Sequence, residues 1–207
     1  MNIETLSRPR VRAGFGVPLM ALGALLVLSA GLLFLYNLAD AGRAAEAASR
    51  VAGTLTARIE ALPEAAVDGE AEDSSDAIFV GGDAYLGVLR IPALGLALPV
   101  MRDWSYEKLK ISPCLYSGDT ASDTAVIAAH NYKRHFGGIH TLAPGDELIF
   151  TDVIGHTIRY EIAKTETLEA TDFLDMTASG YDLTLFTCTY GGAARVTVRC
   201  NRIPDSV

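Results

Sequence analysis

The amino-acid sequence predicts an all-β domain that follows a single N-terminal transmembrane helix. In the second part of the chain, apolar residues occur in short runs, and turn-forming Gly, Pro and Asp residues separate these runs. In the first part, a stretch without any charged residue is more than long enough to span a membrane. Short strands at regular spacing are typical of a β-sandwich or a β-barrel, and the pattern does not distinguish between the two.

The apolar stretch runs from Ala13 to Ala39, about 27 residues without a charged side chain. Arginines precede it and Asp40 follows it, so the positive-inside rule places residues 1–12 in the cytoplasm as a short tail. The alternative is a cleaved signal peptide, because Ala39-Asp40-Ala41 matches a small-x-small cleavage site. A signal h-region covers only about 7–15 residues, so we predict an uncleaved transmembrane helix over residues 13–39.

Residues 40–80 are predicted to form a stalk and an acidic linker. The segment from Ala44 to Leu62 is rich in Ala, contains little that breaks a helix, and is expected to be helical. From Glu60 to Asp76, carboxylates stand among Ala, Gly and Ser, which is the composition of a solvated tether. The folded domain is then expected to occupy residues 81–207.

The strands of this domain are predicted in chain order from the apolar pattern. Turn signals such as Ala143-Pro144-Gly145-Asp146 separate them. Short helices are expected at Trp104–Lys110 and Thr171–Met176. The predicted strands are Tyr85–Ile91, Leu96–Val100, Thr124–Ala129, Glu147–Thr151, His156–Lys164, a strand from Leu183 that ends at Cys188, and a strand that begins at Ala194.

Charge and histidine spacing exclude two classes of partner. The net charge is −8 and no basic stripe is present, which argues against a nucleic-acid partner. The spacing of His130, His135 and His140 does not match a zinc signature, so we expect neither a metal nor another cofactor. Scattered carboxylates such as those of Asp119 and Asp123 could bind a Ca²⁺ ion. Carboxylates in these positions are more simply explained as solvated surface groups.

The chain has three cysteines, and an odd number leaves at least one thiol unpaired. Cys200 alternates in phase with Val196 and Val198, so it is expected to point into the core. Cys114 follows Pro113 and is expected in a loop. The sequence leaves a disulfide between Cys114 and Cys200 open.

Cys188 is the candidate nucleophile. It ends the segment Thr184-Leu185-Phe186-Thr187-Cys188, and after a Gly-Gly break Arg195 opens the next strand. A thiol and a guanidinium in these positions face each other across a short loop. Upstream, an apolar strand ends in His130-Asn131, which offers the base that a catalytic cysteine needs.

These motifs resemble the sortases, which are membrane-anchored cysteine transpeptidases of Gram-positive bacteria. The resemblance rests on the Thr-Leu-x-Thr-Cys pattern at Thr184 to Cys188, with an upstream His-Asn and a later Arg in the same order. It extends from about Tyr85 to Ile203, and its first eight residues resemble the family's opening strand. The resemblance implies a closed eight-stranded β-barrel with short helices and an active site at one end.

The resemblance also implies roles for the site residues. Cys188 would be the nucleophile and His130 would exchange protons with the leaving and incoming amines. Arg195 would stabilise the oxyanion, aided by the backbone N–H that follows Cys188. Arg199 lies on the same face of its strand and is the alternative arginine. Thr187 and Asn131 are expected to bind substrate, whereas His135 and His140 are expected to line the rim of the site or face water.

The implied reaction joins secreted proteins to an amine at the cell membrane. Cys188 would cleave a C-terminal sorting signal resembling Leu-Pro-x-Thr-Gly through a thioester, and the amine of a peptidoglycan precursor or a pilin would accept the acyl group. The lack of a lid before the first strand and of an apolar segment after Ile203 favours a compact protein-anchoring sortase. The alternatives are an L,D-transpeptidase, whose cysteine typically follows Ser-x-Gly, and a non-catalytic membrane-tethered binding domain.

Overall fold

The computed structural model describes residues 16–61 and 77–204. The chain divides into two compact units, the first ending at Asp40 and the second beginning at Ala41. The predicted cytoplasmic tail, residues 1–12, and residues 62–76 of the predicted acidic linker lie outside the described residues.

The first unit contains the apolar part of a long helix, α1 (Gly16–Glu60). Its large apolar side chains are exposed, as Leu26 and Phe34 illustrate. The helix is long and apolar enough to cross a membrane, which is the property that the sequence predicted. A signal sequence near an N-terminus shares this property.

The second unit is a closed β-barrel. The order of neighbouring strands is β1-β2-β3-β4-β5-β8-β9-β7-β6, and β6 pairs back onto β2. Eight strands, β2 to β9, therefore close the barrel and confirm the expected architecture, while β1 extends one end of β2 as a hairpin. The strands of the described residues are β1 (Ile78–Val80), β2 (Asp83–Ile91), β3 (Leu96–Met101), β4 (Cys114–Ser117), β5 (Ala125–Ala128), β6 (Glu147–Asp152), β7 (Thr157–Glu169), β8 (Leu183–Cys188) and β9 (Ala194–Arg202).

Two short helices flank the barrel. α2 (Tyr106–Leu109) lies inside the predicted segment, and α3 (Phe173–Thr177) ends one residue beyond the predicted Thr171–Met176. Ser105 caps α2, since its hydroxyl accepts a hydrogen bond from Lys108 N at 3.1 Å. Strand β4 was not predicted, and its first residue, Cys114, was expected in a loop because it follows Pro113. Strand β7 continues five residues beyond the predicted end at Lys164, where its side chains become mostly polar.

The barrel interior is filled by alternate residues of the strands, such as Leu89 of β2, Leu185 of β8 and Val198 of β9. Phe136 and Ile139 of the loop between β5 and β6 also belong to this core, and both are 0 % exposed. The loop therefore closes one end of the barrel.

His135 is buried in the same loop, at 0 % exposure. The expectation that it lines the rim or faces water was wrong, because the apolar side chains on the loop draw its backbone over the barrel. Burial, reinforced by the neighbouring His130, lowers the pKa of His135 from 6.5 to about 4, and a backbone contact with Ala44 opposes this shift only in part.

The Ala-rich part of α1 is helical, and one of its faces is buried on the barrel. Leu55 is 0 % exposed and packs in a cluster with Tyr85, Val88, Met101 and Cys114. Complete burial of a leucine side chain contributes about 2 kcal/mol. This part of the helix is thus joined to the core of the second unit, which a free stalk would not be.

All three cysteines are free thiols in the described structure. Cys200 lies in the barrel core beside Val198, as predicted. Cys114 belongs to the separate cluster under α1, so the disulfide left open by the sequence is not formed. Burial raises the pKa of the Cys114 thiol to about 12 and raises that of Cys200 as well.

Candidate active site

Strand register brings the three predicted catalytic residues together. Strands β5 and β8 run parallel, and Ala128 pairs with Phe186. His130 and Cys188 each follow this pair by two positions, so they stand side by side on the same face, on strands about 4.8 Å apart. On the other side of β8, the antiparallel register pairs Cys188 with Arg195. Cys188 therefore lies between an imidazole and a guanidinium.

His130, Cys188 and Arg195 line one cavity of about 290 Å³ on the outer face of the barrel. Its walls are largely apolar and come from α2, α3 and the strands β4, β5 and β8. Aromatic contacts link these walls, since the Tyr116 ring lies 5.2 Å from both the Trp104 and the Phe186 ring centroids. The wall residues are Trp104, Tyr106, Leu109, Tyr116, Ala128, Ala129, Phe173, Met176 and Phe186.

Tyr132 is a site residue that the sequence analysis did not identify. Its ring stacks on His130 with centroids 4.8 Å apart and an angle of 22° between the planes. It also contacts the His135 ring at 5.6 Å. Stacking fixes the plane of the His130 imidazole. An aromatic residue two positions after the predicted catalytic histidine was the available signal.

Arg195 is anchored to the turn that follows Cys188. Its Nη1 donates to the carbonyl oxygens of Gly192 at 3.0 Å and Ala194 at 3.1 Å. Gly191 and Gly192 have φ values of 84° and 76°, which side chains disfavour, so these two glycines permit the tight turn. The guanidinium is thus held in place at the cavity wall.

The backbone N–H after Cys188, on Thr189, donates to the carbonyl of Ala194 at 2.9 Å. This bond belongs to the β8–β9 turn. Arg195, which the sequence predicted as the main oxyanion donor, lines the same cavity as Cys188.

Arg199, the alternative arginine, lies outside the cavity and is 2 % exposed. Its Nε donates to Glu166 Oε1 at 2.9 Å, and its Nη1 donates to the Met176 carbonyl and to Thr184 Oγ1, each at 3.1 Å. These bonds tie α3 to the barrel. Arg199 is therefore a structural residue, which leaves Arg195 as the arginine of the site.

Thr187 lies on the opposite face of β8 from Cys188 and is 3 % exposed. Its hydroxyl donates to the Ala129 carbonyl at 2.7 Å, immediately before His130. This bond ties the strand of Cys188 to the strand of His130.

Asn131 lines a second, smaller cavity of about 190 Å³ at the end of the barrel. This cavity lies between the loop after β5 and the β8–β9 turn. Among the described residues, Cys188 alone lines both cavities. The other residues of the second cavity are Gly137, His140, Thr187, Thr189, Tyr190 and Val196.

A partly exposed thiol between an imidazole and a guanidinium, at the end of a closed barrel, defines a cysteine enzyme of the acyl-transfer class. A model of the Sortase domain matches residues 89–203 of this chain. The chain belongs to the sortase family and is a cysteine transpeptidase. This membership sets aside the L,D-transpeptidase alternative.

Solved sortases have similar structures. The chain is similar to sortase C1 of Streptococcus agalactiae, with a TM-score of 0.59 and 22 % identity over 76 % of this chain and 100 % of that one. It is similar to sortase C of Streptococcus pneumoniae, with a TM-score of 0.60 and 21 % identity over 75 % and 97 %. Sortase C1 of Streptococcus suis has a TM-score of 0.51 and 28 % identity over 59 % and 75 %. No curated protein matches the chain.

Proposed function

We propose that Cys188, His130 and Arg195 form the catalytic group with which this transpeptidase cleaves a C-terminal sorting signal of the Leu-Pro-x-Thr-Gly type. The observation that carries the proposal is the register of β5, β8 and β9, which sets His130 and Arg195 on either side of Cys188 in one cavity. The products are an acyl-enzyme on Cys188 and, after transfer, a secreted protein joined to an amine.

In the first half-reaction, the Cys188 thiolate attacks the carbonyl carbon of the scissile peptide bond. The carbon–sulfur bond forms, and the guanidinium of Arg195 donates hydrogen bonds to the resulting oxyanion. His130, protonated, gives its proton to the leaving nitrogen as the carbon–nitrogen bond breaks. A thioester and a free amine result.

In the second half-reaction, an amine nitrogen attacks the thioester carbonyl. The nitrogen loses a proton to His130, now neutral, and the carbon–sulfur bond breaks to release the Cys188 thiolate. The same Arg195 guanidinium stabilises the second oxyanion. The stacked Tyr132 ring keeps the His130 imidazole in one plane through both transfers.

The chemistry of the larger cavity supports an apolar signal peptide. Its walls are aromatic and aliphatic, and the charged group among the described lining residues is Arg195, beside Cys188. Leucine and proline side chains bury apolar surface against such walls. We therefore place the Leu-Pro part of the signal along α2 and α3, with the scissile bond at Cys188.

The acceptor is an amine of a peptidoglycan precursor or a pilin lysine. The solved structure of sortase C from Streptococcus pneumoniae bears on that enzyme's pilin substrate specificity. The similarity to it supports a pilin lysine as the acceptor. In either case we place the N-terminus in the cytoplasm and the barrel outside the cell membrane, where secreted substrates and lipid-linked precursors meet.

The test uses the full chain in detergent micelles with a panel of Leu-Pro-x-Thr-Gly-like peptides and triglycine as the amine. Mass spectrometry is expected to show an acyl-enzyme on Cys188 and an amine-exchanged peptide, and Cys188→Ala is expected to abolish both. Iodoacetamide provides the control for folding, because Cys114 and Cys200 are 0 % exposed and only Cys188 is accessible to label in the folded protein. A chain that takes up one label yet forms no adduct with any peptide contradicts the proposal.

A further inference from the structure

The two cavities that meet at Cys188 differ in character. The larger is walled by aromatic rings on the outer face of the barrel, whereas the smaller lies at the barrel end, is also largely apolar, and has Asn131 and His140 among its lining residues. During transfer the acyl chain stays in place while an amine reaches the thioester carbonyl. The acyl chain occupies the larger cavity in the proposed function, and the smaller one also reaches Cys188.

An amine in water at neutral pH is mostly an ammonium ion, and an ammonium nitrogen has no lone pair with which to attack. The α-amino group has a pKa of about 7.7–8.0 and a lysine amine about 10.4. The incoming ammonium must therefore lose a proton before the attack, in addition to the proton that His130 takes during it. A group in the smaller cavity that accepts this proton increases the share of bound amine that can attack.

His140 has the geometry for this task. Its Nδ1 lies 3.0 Å from the carbonyl oxygen of Gly137. A carbonyl oxygen only accepts hydrogen bonds, so Nδ1 carries the hydrogen of the neutral ring and Nε2 carries the lone pair. His140 lies in a 3₁₀ turn, Ile139–Thr141, that is held by the buried Ile139 and by a 2.8 Å bond from Thr141 Oγ1 to the Gly138 carbonyl.

The rest of the lining supports a proton acceptor rather than an ion-pair site. The titratable groups among the described residues of this cavity are Cys188, His140 and Tyr190, and no carboxylate lines it. In the acyl-enzyme the Cys188 sulfur is a neutral thioester, so an ammonium ion finds no negative partner among these lining residues. The Asn131 amide supplies a neutral polar group in this lining, whereas the Thr189 hydroxyl is bonded to the backbone of Ala194.

We propose that the cavity between Asn131, His140 and Tyr190 receives the acceptor amine, and that His140 Nε2 takes the proton of its ammonium form. This rests on the proposed function. The ammonium gives one proton to His140, the freed nitrogen attacks the thioester carbon, a second proton passes to His130, and Cys188 leaves as the thiolate. His140 is exposed and returns its proton to water.

The test measures how the acyl-enzyme of the full chain in micelles partitions between water and an amine at pH 7. Two acceptors are compared: triglycine, which is mostly an ammonium ion, and hydroxylamine, which is mostly unprotonated. His140→Gln is expected to lower the partition toward triglycine about tenfold or more and to leave the partition toward hydroxylamine within about twofold. The control is His156→Gln, which changes an exposed histidine of the β6–β7 turn and is expected to match the wild type.

If His140→Gln lowers the transfer of the acyl group to both triglycine and hydroxylamine, the cavity has collapsed, and the base role of His140 is overturned. Equal partition of His140→Gln and wild type with triglycine overturns it as well. Failure of the proposed function has a different signature, since the wild-type chain then forms no acyl-enzyme at all. Equal melting temperatures of the two glutamine variants exclude a folding defect as the cause of any difference.

Discussion

At the scale of the residue, the two arginines of β9 show how one strand face serves two purposes. Both point outward from the barrel, four positions apart, and their surroundings decide what each does. Arg195 lies at a cavity wall beside Cys188. Arg199 is covered by α3 and saturated with bonds to protein acceptors. Catalysis and stability are therefore expected to separate between these two positions.

The first prediction is that Arg195→Ala lowers kcat about 10²–10³-fold with little change in melting temperature, because it removes the guanidinium that faces the oxyanion. Arg199→Ala is expected to lower the free energy of unfolding by about 2–4 kcal/mol, since buried acceptors lose a charged donor. Peptide turnover and thermal melting measure the two effects.

Arg202→Ala is the matched control for this pair. It removes an exposed ion pair with Asp123, at 3.2 Å, and is expected to cost less than about 1 kcal/mol. If Arg199→Ala melts like Arg202→Ala, the anchoring of α3 by Arg199 is wrong. If Arg195→Ala retains wild-type turnover, the oxyanion role belongs elsewhere.

The same scale shows what a residue pattern can and cannot predict. The two-residue alternation of β9 correctly placed Cys200 in the core with Val198, because that periodicity is local. The commitment of the Thr189 N–H to Ala194 was not predictable, since it depends on the geometry of the turn. The burial of His135 had a partial signal in Phe136 and Ile139, which are too apolar for a loop that faces water.

At the scale of the element, the loop between β5 and β6 carries His130 into the site and then closes the barrel. Gly137 makes its tight return possible. A Cβ atom at Gly137 would lie 2.6 Å from the Asn131 carbonyl oxygen and 2.8 Å from that of Tyr132. Both contacts are to backbone atoms, which cannot move without displacing the residues that follow His130.

The second prediction is that Gly137→Ala lowers stability by about 1–3 kcal/mol through this overlap and lowers turnover as His130 and Tyr132 shift. Gly138→Ala is the neighbouring control, because its Cβ would meet Leu94 side-chain atoms at 3.4 and 3.5 Å, in ordinary contact. Denaturant melts and peptide turnover are the measurements. Equal behaviour of the two alanine variants would show that the loop is not constrained at Gly137.

Helix α1 is the second element with a structural consequence. Its Ala-rich face is narrow enough to lie against β2, and Leu55 inserts where the strands leave an apolar surface. The sequence predicted the helix because Ala favours it. The docking was not predictable, because Tyr85 and Val88 show their apolar outer face only once the strand pairs are known.

The third prediction is that Leu55→Ala lowers the free energy of unfolding of the full chain by about 2–4 kcal/mol, the cost of a buried cavity. Thr54→Ala, on the exposed side of the helix, is expected to stay within about 0.5 kcal/mol. Denaturant melts of the two variants in detergent give the comparison. A Leu55→Ala chain as stable as the Thr54→Ala chain would mean that the helix does not support the barrel.

At the scale of the whole molecule, local pattern predicted most strands but not their order. The parallel pairing of β5 with β8 joins Ala129 to Thr187 across 58 positions of sequence, and no local periodicity reports such a contact. The closed barrel came instead from the resemblance of a few site residues to a family. Those residues identify the family because its chemistry needs them close together, at the ends of paired strands. The site motif therefore indicated which strands are neighbours.

The whole molecule also has a dependence of stability on pH. Because His135 is buried, its folded-state pKa is about 4, against 6.5 in an exposed histidine. As pH falls through 6.5, the unfolded chain binds a proton that the folded chain refuses until about pH 4. This contribution to stability is therefore complete above pH 6.5 and is lost progressively toward pH 4, by about 3 kcal/mol in total.

The fourth prediction is that His135→Phe removes this part of the acid sensitivity. Within residues 16–61 and 77–204 the His135 ring nitrogens make no hydrogen bond of ordinary geometry. A phenylalanine ring of similar shape therefore leaves no hydrogen-bonding group without its partner. The free energy of unfolding, measured from pH 7.5 to 4.5, is expected to fall less steeply in His135→Phe than in the wild type. The control His156→Gln, at an exposed histidine, is expected to keep the wild-type dependence of the free energy of unfolding on pH. If His135→Phe shows the same dependence, His135 is already protonated in the folded barrel.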